Sequence, residues 1–241
     1  MRDYAQEARQ RVEFIRRVLK SAGAAGVVYG NSGGKDCTLV GILCKMACDD
    51  TVGIIMPCGT KRGYEMDKAD AETLAAQYGI ATRTVDLADV RQALVGSVDG
   101  VTQLTAAALA NIAPRLRMTA LYTVAASENR LVAGTGNRSE RHMGYFTKWG
   151  DGACDFNPIA DLTVTEIYAF LRHLGAPDFI ISKPPSAGLS EGQTDEQDMG
   201  VTYRAIDDYL LHGTANDHDK RIIDRYHATS GHKRGMPAMF E

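Results

Sequence analysis

Apolar positions along the chain fall into two alternating rhythms. Over residues 5–21, Val12, Ile15, Val18 and Leu19 recur at three- and four-residue intervals among arginines, which predicts an amphipathic helix ending near Gly23. Val27, Val28 and Tyr29 then form a short continuous apolar run suited to a buried strand, and beyond a glycine turn TLVGILCKMA resumes helical spacing. VGIIM (52–56) reads as a second buried strand, 64–78 as a helix stopped by Gly79, and TRTVD (82–86) as a third strand. A long helical stretch follows over 104–130, interrupted or kinked by Pro114, with RLVAG (130–134) as a fourth strand. Helices are predicted again over 162–175, 202–212 and 217–230, before a basic tail. Strands alternating with helices imply right-handed crossovers, hence an α/β fold with a doubly wound parallel sheet flanked by helices and ligands at the carboxyl ends of its strands.

Two stretches lack this periodicity. Residues 135–160 are glycine-rich and polar, suiting loops over a site, and 182–198 is rich in Pro, Gly, Ser and acids, suiting a mobile lid.

Bulk properties narrow the function classes. With 241 residues the chain can bury one full core, alone or with a small appendage. A net charge of -3 and the lack of a long basic run leave no electrostatic footprint for nucleic acid. The charged N-terminal segment does not read as a signal peptide, and no apolar run reaches membrane-spanning length, so a cytoplasmic protein is expected. Five cysteines without a C-x-x-C, and histidines without H-E-x-x-H, point to reduced core thiols rather than a zinc centre.

The first glycine turn carries the candidate chemistry. Gly30-Asn31-Ser32-Gly33-Gly34-Lys35-Asp36-Cys37 lies between strand and helix, where bare backbone and a helix N-terminus accept an anion and Lys35 adds a full charge. Its spacing excludes both the Walker A pattern and G-x-G-x-x-G. Gly134-Thr135-Gly136-Asn137-Arg138-Ser139-Glu140 repeats the design, so in a parallel sheet Asp36 and Glu140 could share one hard cation such as magnesium, or each could simply complement a helix start. The segment 144–152 (GYFTKWGDG) combines aromatic faces with Lys148 and an acid. It could stack a heteroaromatic ring or form an anchored surface loop. Arg115 and Arg117 cannot point the same way on one helix, so one is expected to face a ligand and the other solvent.

Taken together, S-G-G-x-D, ANIAPRLRM, GTGNRSE, GYFTKWGDG, PSAGLSEGQTDE and HKR make the chain resemble the ammonia-dependent NAD synthetases, within the Rossmann-like ATP pyrophosphatase fold. The resemblance implies an ATP- and magnesium-dependent ligase converting deamido-NAD to NAD with ammonia, through an adenylated carboxylate and with release of AMP and pyrophosphate. It implies ATP contacts by Gly30, Asn31, Ser32, Gly33, Gly34, Lys35, Asp36, Cys37, Thr135 and Ser186, and a magnesium site at Asp36 and Glu140. Deamido-NAD contacts would fall to Arg115, Lys148, Asp155, His232 and Lys233, in a homodimer. One synthetase domain over 1–241, without a glutaminase domain, is expected, and no side chain is implied as a dedicated nucleophile. Two departures fall on the ATP side: Cys37 stands where the family pattern has Ser, and Val164 where it commonly has an ATP-contacting lysine, a role Lys183 could take over. Another adenylating enzyme of the same fold, or a nucleotide-binding regulator without turnover, are the rival readings.

Overall fold

The computed structural model describes residues 2–59, 64–182 and 194–240. Four strands, β1 (Gly26–Gly30), β2 (Thr51–Ile55), β3 (Ala81–Thr84) and β4 (Arg130–Ala133), form one parallel sheet in the order β3-β2-β1-β4. The chain therefore runs outward from β1 to β3 on one side and returns to the other side with β4. The crevice at this reversal, beyond the carboxyl ends of β1 and β4, is where an open α/β sheet places its ligands.

Both faces of the sheet are covered, which explains why β1 is apolar at successive positions rather than alternately. Val27 and Tyr29 face a core shared by α1 (Tyr4–Ala22), α2 (Lys35–Ala47) and α8 (Val164–His173). Val28 faces the opposite side with Val52, Ile54 and Val132, against α6 (Ile112–Glu128). A third cluster packs α8 with α7 (Arg138–Met143), α10 (Asp195–Met199), α11 (Tyr203–His212) and α12 (Asp217–Thr229) through Met143, Val164, Met199, Tyr203, Ile206 and Ile223. Asp207 is buried at its centre, where its carboxylate accepts from Ser139 Oγ at 2.5 Å and from the Thr165 backbone N–H at 2.6 Å. These bonds fasten α11 to α7 and α8, the layer that overhangs the crevice.

The helical pattern over 104–130 resolves into α5 (Ala106–Ala110) and α6, which part at Asn111 rather than at Pro114. A proline cannot donate to the carbonyl four residues earlier and its ring crowds that group, so the ladder fails at Ala110 and Pro114 falls in the first turn of the next helix. α4 (Ala88–Asp99) has no counterpart in the sequence pattern: it buries none of its residues and so has no core-facing stripe. Within the 135–160 loops, α7 forms a short helix. Of the lid expected over 182–198, residues 183–193, including Lys183 and Ser186, lie outside the described residues. Residues 195–199 form α10; α3 (Tyr64–Gln77), the short α9 (Asp178–Ser182), also absent from the sequence pattern, and a 3-10 turn at Gly231–Lys233 are the other helical elements among the described residues.

Phe170 on α8 is wholly buried, with its ring 5.0 Å from that of Tyr4 on α1. Phe170→Ala should cost about 3–5 kcal/mol, the usual penalty for emptying an aromatic site. The check is a lower urea midpoint at unchanged slope.

Candidate active site

The β1 turn is shaped from beneath by two buried side chains. Asn31 accepts the Gly33 backbone N–H at 3.3 Å and donates to the Ala71 carbonyl at 3.2 Å. Gly33 adopts φ +72°, a left-handed conformation that costs glycine nothing. The thiol of Cys37 donates to the Gly34 carbonyl at 3.1 Å and lies 3.3 Å from Ser32 Oγ, while burial pushes its pKa up and keeps it neutral. Its hydrogen bonds go to the loop's own groups, so the departure from Ser alters how the loop is held. No side chain caps α2 at Gly34, which leaves its first backbone N–H groups for an anion at the rim, beside the exposed Ser32.

The structure brings Asp36 and Glu140 to the same rim and joins them through Asn137. Asn137, wholly buried, caps α7: its Oδ1 accepts the Glu140 N–H at 2.9 Å, and its own N–H donates to Glu140 Oε2 at 3.1 Å. Its Nδ2 donates across the crevice to Asp36 Oδ1 at 3.1 Å. The other Asp36 oxygen, Oδ2, receives Lys35 Nζ at 2.7 Å. Glu140 is thus both a helix-capping acid and a neighbour of Asp36. Burial first, and then the charge of Asp36, push its carboxyl up to about 8 against the opposing pull of Lys35. Burial alone would lower Lys35, but Asp36 and Glu140 overcome it and hold the ammonium firmly charged.

Three residues of this cluster escaped the sequence reading. Besides Asn137, Tyr203 sets its ring 5.6 Å from Lys35 Nζ and donates its hydroxyl to Asp195 Oδ2 at 3.1 Å. Asn137 carries a usable signal, an Asn three residues before a Glu at a helix start. Tyr203 and Asp195 carry none, because nothing local distinguishes them from core and surface positions. Val164 is buried in the third cluster. Thr135 sits half-buried at the carboxyl end of β4. Among the described residues no group of three His, Cys, Asp or Glu side chains could hold a metal, so a cation here would rest on two carboxylates and the oxygens of a ligand, which is magnesium's usual habit.

A second cluster assembles beside the first. Thr147 Oγ1 donates to Asn111 Oδ1 at 2.6 Å, pinning the 144–152 loop to the start of α6. Lys233 donates to the carbonyls of Gly144 at 2.8 Å and Phe146 at 2.9 Å, and Lys148 to the carbonyl of His232 at 2.6 Å. Gly144 takes φ +66°, and a Cβ there would meet Ser230 at 2.1 Å, so the tail packs directly on this turn. Lys148, His232 and Lys233 thereby share one edge with Arg115, whose charge lowers the pKa of Lys233 after burial has done so first. Asp155 stands apart on the outer edge of β4, where Oδ2 accepts the Val132 N–H at 2.7 Å and Oδ1 the Tyr122 hydroxyl at 3.3 Å. Tyr122 lies seven residues from Arg115, on the same side of α6, so its hydroxyl links Asp155 to that side. Arg115 is exposed, whereas Arg117 is half-buried with Nε donating to the Met56 carbonyl at 3.0 Å.

Glu140 holds a proton in the fold that an unfolded carboxyl would lose at lower pH, so its contribution to stability declines as pH rises through the window up to about 8. Without divalent cations, the urea midpoint of the protein should fall between pH 6 and pH 8 relative to that of Glu140→Gln. Parallel midpoints across that range would contradict the assignment.

A family model described as NAD synthase matches residues 7–237. The NH(3)-dependent NAD(+) synthetase of Carboxydothermus hydrogenoformans is 45% identical over 98% of this chain and 97% of its own. Among solved structures, the NMN synthetase of Francisella tularensis superposes with a TM-score of 0.93 at 33% identity, covering 99% of both chains. The NH3-dependent NAD synthetase of Campylobacter jejuni gives 0.81 at 29% identity over 100% of both.

Proposed function

The chain belongs to the NAD synthase family, and from that premise we propose that it is an ammonia-dependent ligase that amidates deamido-NAD to NAD at the expense of ATP. The nicotinate carboxylate attacks the α-phosphorus of ATP, pyrophosphate departs with the bonding electrons, and ammonia then attacks the acyl carbon and displaces AMP. The geometric observation that carries this reading is the Asp36–Asn137–Glu140 link, which closes two glycine turns of adjacent parallel strands around one rim.

Each half of the site has a distinct task. Charge accumulates on the departing pyrophosphate, so the open N–H groups of α2 and the ammonium of Lys35 stabilise the transition state more than the ground state. Asp36 and Glu140 would hold magnesium, which when bound supplies Lewis-acid neutralisation of phosphate charge. Arg115, Lys148, His232 and Lys233 form a basic edge suited to the anionic dinucleotide, with Tyr122 further along α6 and Asp155 bonded to it from beside β4. Thr135 borders the nucleotide side. Ser186, with most of the proposed lid, lies outside the described residues.

The same reading extends to assembly and setting. A homodimer is supported by α4 and α5, which bury none of their residues, and by Val90 and Leu94, 50% and 39% exposed on α4. Replacing both with Glu should yield monomers in sedimentation equilibrium while leaving far-ultraviolet circular dichroism unchanged. Work in the cytoplasm is supported by five free cysteines. No helix among the described residues is long and apolar enough to cross a membrane.

A second reading has its own support. The NMN synthetase of Francisella tularensis matches with a TM-score of 0.93 against 0.81 for the Campylobacter jejuni NAD synthetase, which favours nicotinate mononucleotide as the acceptor. The carboxylate chemistry is identical, and only the adenylyl half of the substrate differs.

One experiment decides. The protein with ATP, magnesium and ammonium is offered each acceptor separately, and AMP, pyrophosphate and amide product are quantified together. Equimolar AMP and NAD from deamido-NAD, with glutamine no better than buffer as nitrogen source, is the expected result. A higher kcat/KM on the mononucleotide installs the second reading, and AMP without either amide removes both.

A further inference from the structure

Arg117 is a cation at the sheet rim that none of the roles above employs. It leaves α6 two residues after Arg115, hence on a different side of the helix, and its Nε is fixed to the carbonyl of Met56, the residue following β2. Its two terminal nitrogens have no hydrogen-bond partner and no carboxylate within ion-pair distance among the described residues. Neither terminal nitrogen is among the sealed, unpartnered polar atoms, which are Arg11 Nε, Tyr78 Oη and His142 Nε2. A guanidinium anchored at one nitrogen and accessible at the other two offers an open edge suited to planar bidentate recognition of an anion.

Its surroundings say which anion. The Met56 methyl group lies 3.4 Å from where a Cβ on Gly30 would stand, so Arg117 is anchored to a residue that touches the first glycine of the phosphate loop. From the other direction it feels the charge of Asp151, the acid closing the 144–152 loop that Lys148 and Lys233 hold. The guanidinium therefore stands between the nucleotide half of the site and the acceptor half. Adenylation has to bring two anions together there, the acceptor carboxylate and the α-phosphoryl group, and their mutual repulsion opposes the attack.

Resting on the amidation reading above, we propose that Arg117 is a further substrate-contacting residue, whose free edge receives an anionic oxygen at the junction of the two substrates. That oxygen belongs either to the α-phosphoryl group of ATP or to the carboxylate that attacks it. Arg115, on the outer side of α6, serves the remainder of the acceptor.

The test compares wild type, Arg117→Lys, Arg117→Gln and Arg117→Ala by steady-state kinetics with each substrate varied, and by calorimetric binding of ATP and of deamido-NAD separately. Arg117→Gln should lose about 10- to 100-fold in kcat/KM, the usual worth of a hydrogen bond to a charged group. Weakened ATP binding identifies the phosphoryl oxygen, weakened deamido-NAD binding the carboxylate, and a fall in kcat alone a contact made only during attack. Ethylguanidinium should restore part of the turnover of Arg117→Ala, which a purely structural role would not allow. Parameters within about two-fold of wild type for both substrates overturn the proposal, as does loss of activity that tracks melting temperature and resists rescue. A wild type without turnover sinks the amidation reading instead, and the two binding measurements on Arg117→Gln still decide whether the residue holds an anion.

Discussion

Two acids at one rim would repel each other if both were ionised, and the crevice depends on how Asn137, together with the proton that Glu140 retains, lets them stand side by side. A neutral amide can do what a lysine alone could not: it donates to Asp36 from Nδ2, accepts from the Glu140 backbone at Oδ1, and gives its own N–H to the Glu140 carboxylate. Three bonds from one buried residue fix the separation of the turns without cancelling the charge that a cation would need. Lys35 balances the pair electrostatically, and the Tyr203 ring beside it limits where its ammonium can go. Local helix capping and long-range closure are thus one set of hydrogen bonds.

The sheet order makes this economical. Because β1 and β4 are neighbours in space yet separated by some hundred residues in the chain, their following turns meet with no further scaffolding. The intervening segment supplies α6, one side of which is applied to the sheet while another presents Arg115 outward, with half-buried Tyr122 at the border reaching Asp155. Arg115, on the acceptor side, and Arg117, held to the residue after β2, therefore leave one helix and share its rigidity.

What the sequence disclosed follows the same division. β1 and β4 were legible as apolar runs entering glycine turns and β2 as a fully buried run, whereas β3, exposed at most of its positions, was legible only as the stretch after the helix stop at Gly79. α4 was not, since its apolar Val90 and Leu94 face outward and mimic no core stripe. The division between α5 and α6 falls at Asn111, three residues ahead of the proline, a displacement explained by the unfilled carbonyl of Ala110. Helical spacing implied that one of Arg115 and Arg117 would be solvated without saying which, and it cannot reveal that Arg117's side of α6 faces the carbonyl of Met56. Tyr203 and Asp195 reach the cluster only through the packing of α10 and α11, a tertiary fact with no local signature.

The tail's grip on the acceptor loop bears on the sequence of events in folding. The carbonyls of Gly144 and Phe146 find their partner in Lys233, which lies 89 and 87 positions downstream, whereas the capping bonds of Asn137 span only three. The sheet and its rim contacts close loops at least as long, Asn137 standing 101 positions from Asp36, but every residue they need is synthesised before Lys233, and domains fold from the N-terminal side as they are made. A newly made molecule would then possess its sheet and glycine turns while the basic edge was still scattered, and would lack a finished place for the second substrate beside a formed nucleotide cradle. Such an order of assembly would keep half-matured copies from activating a carboxylate they could not yet hold.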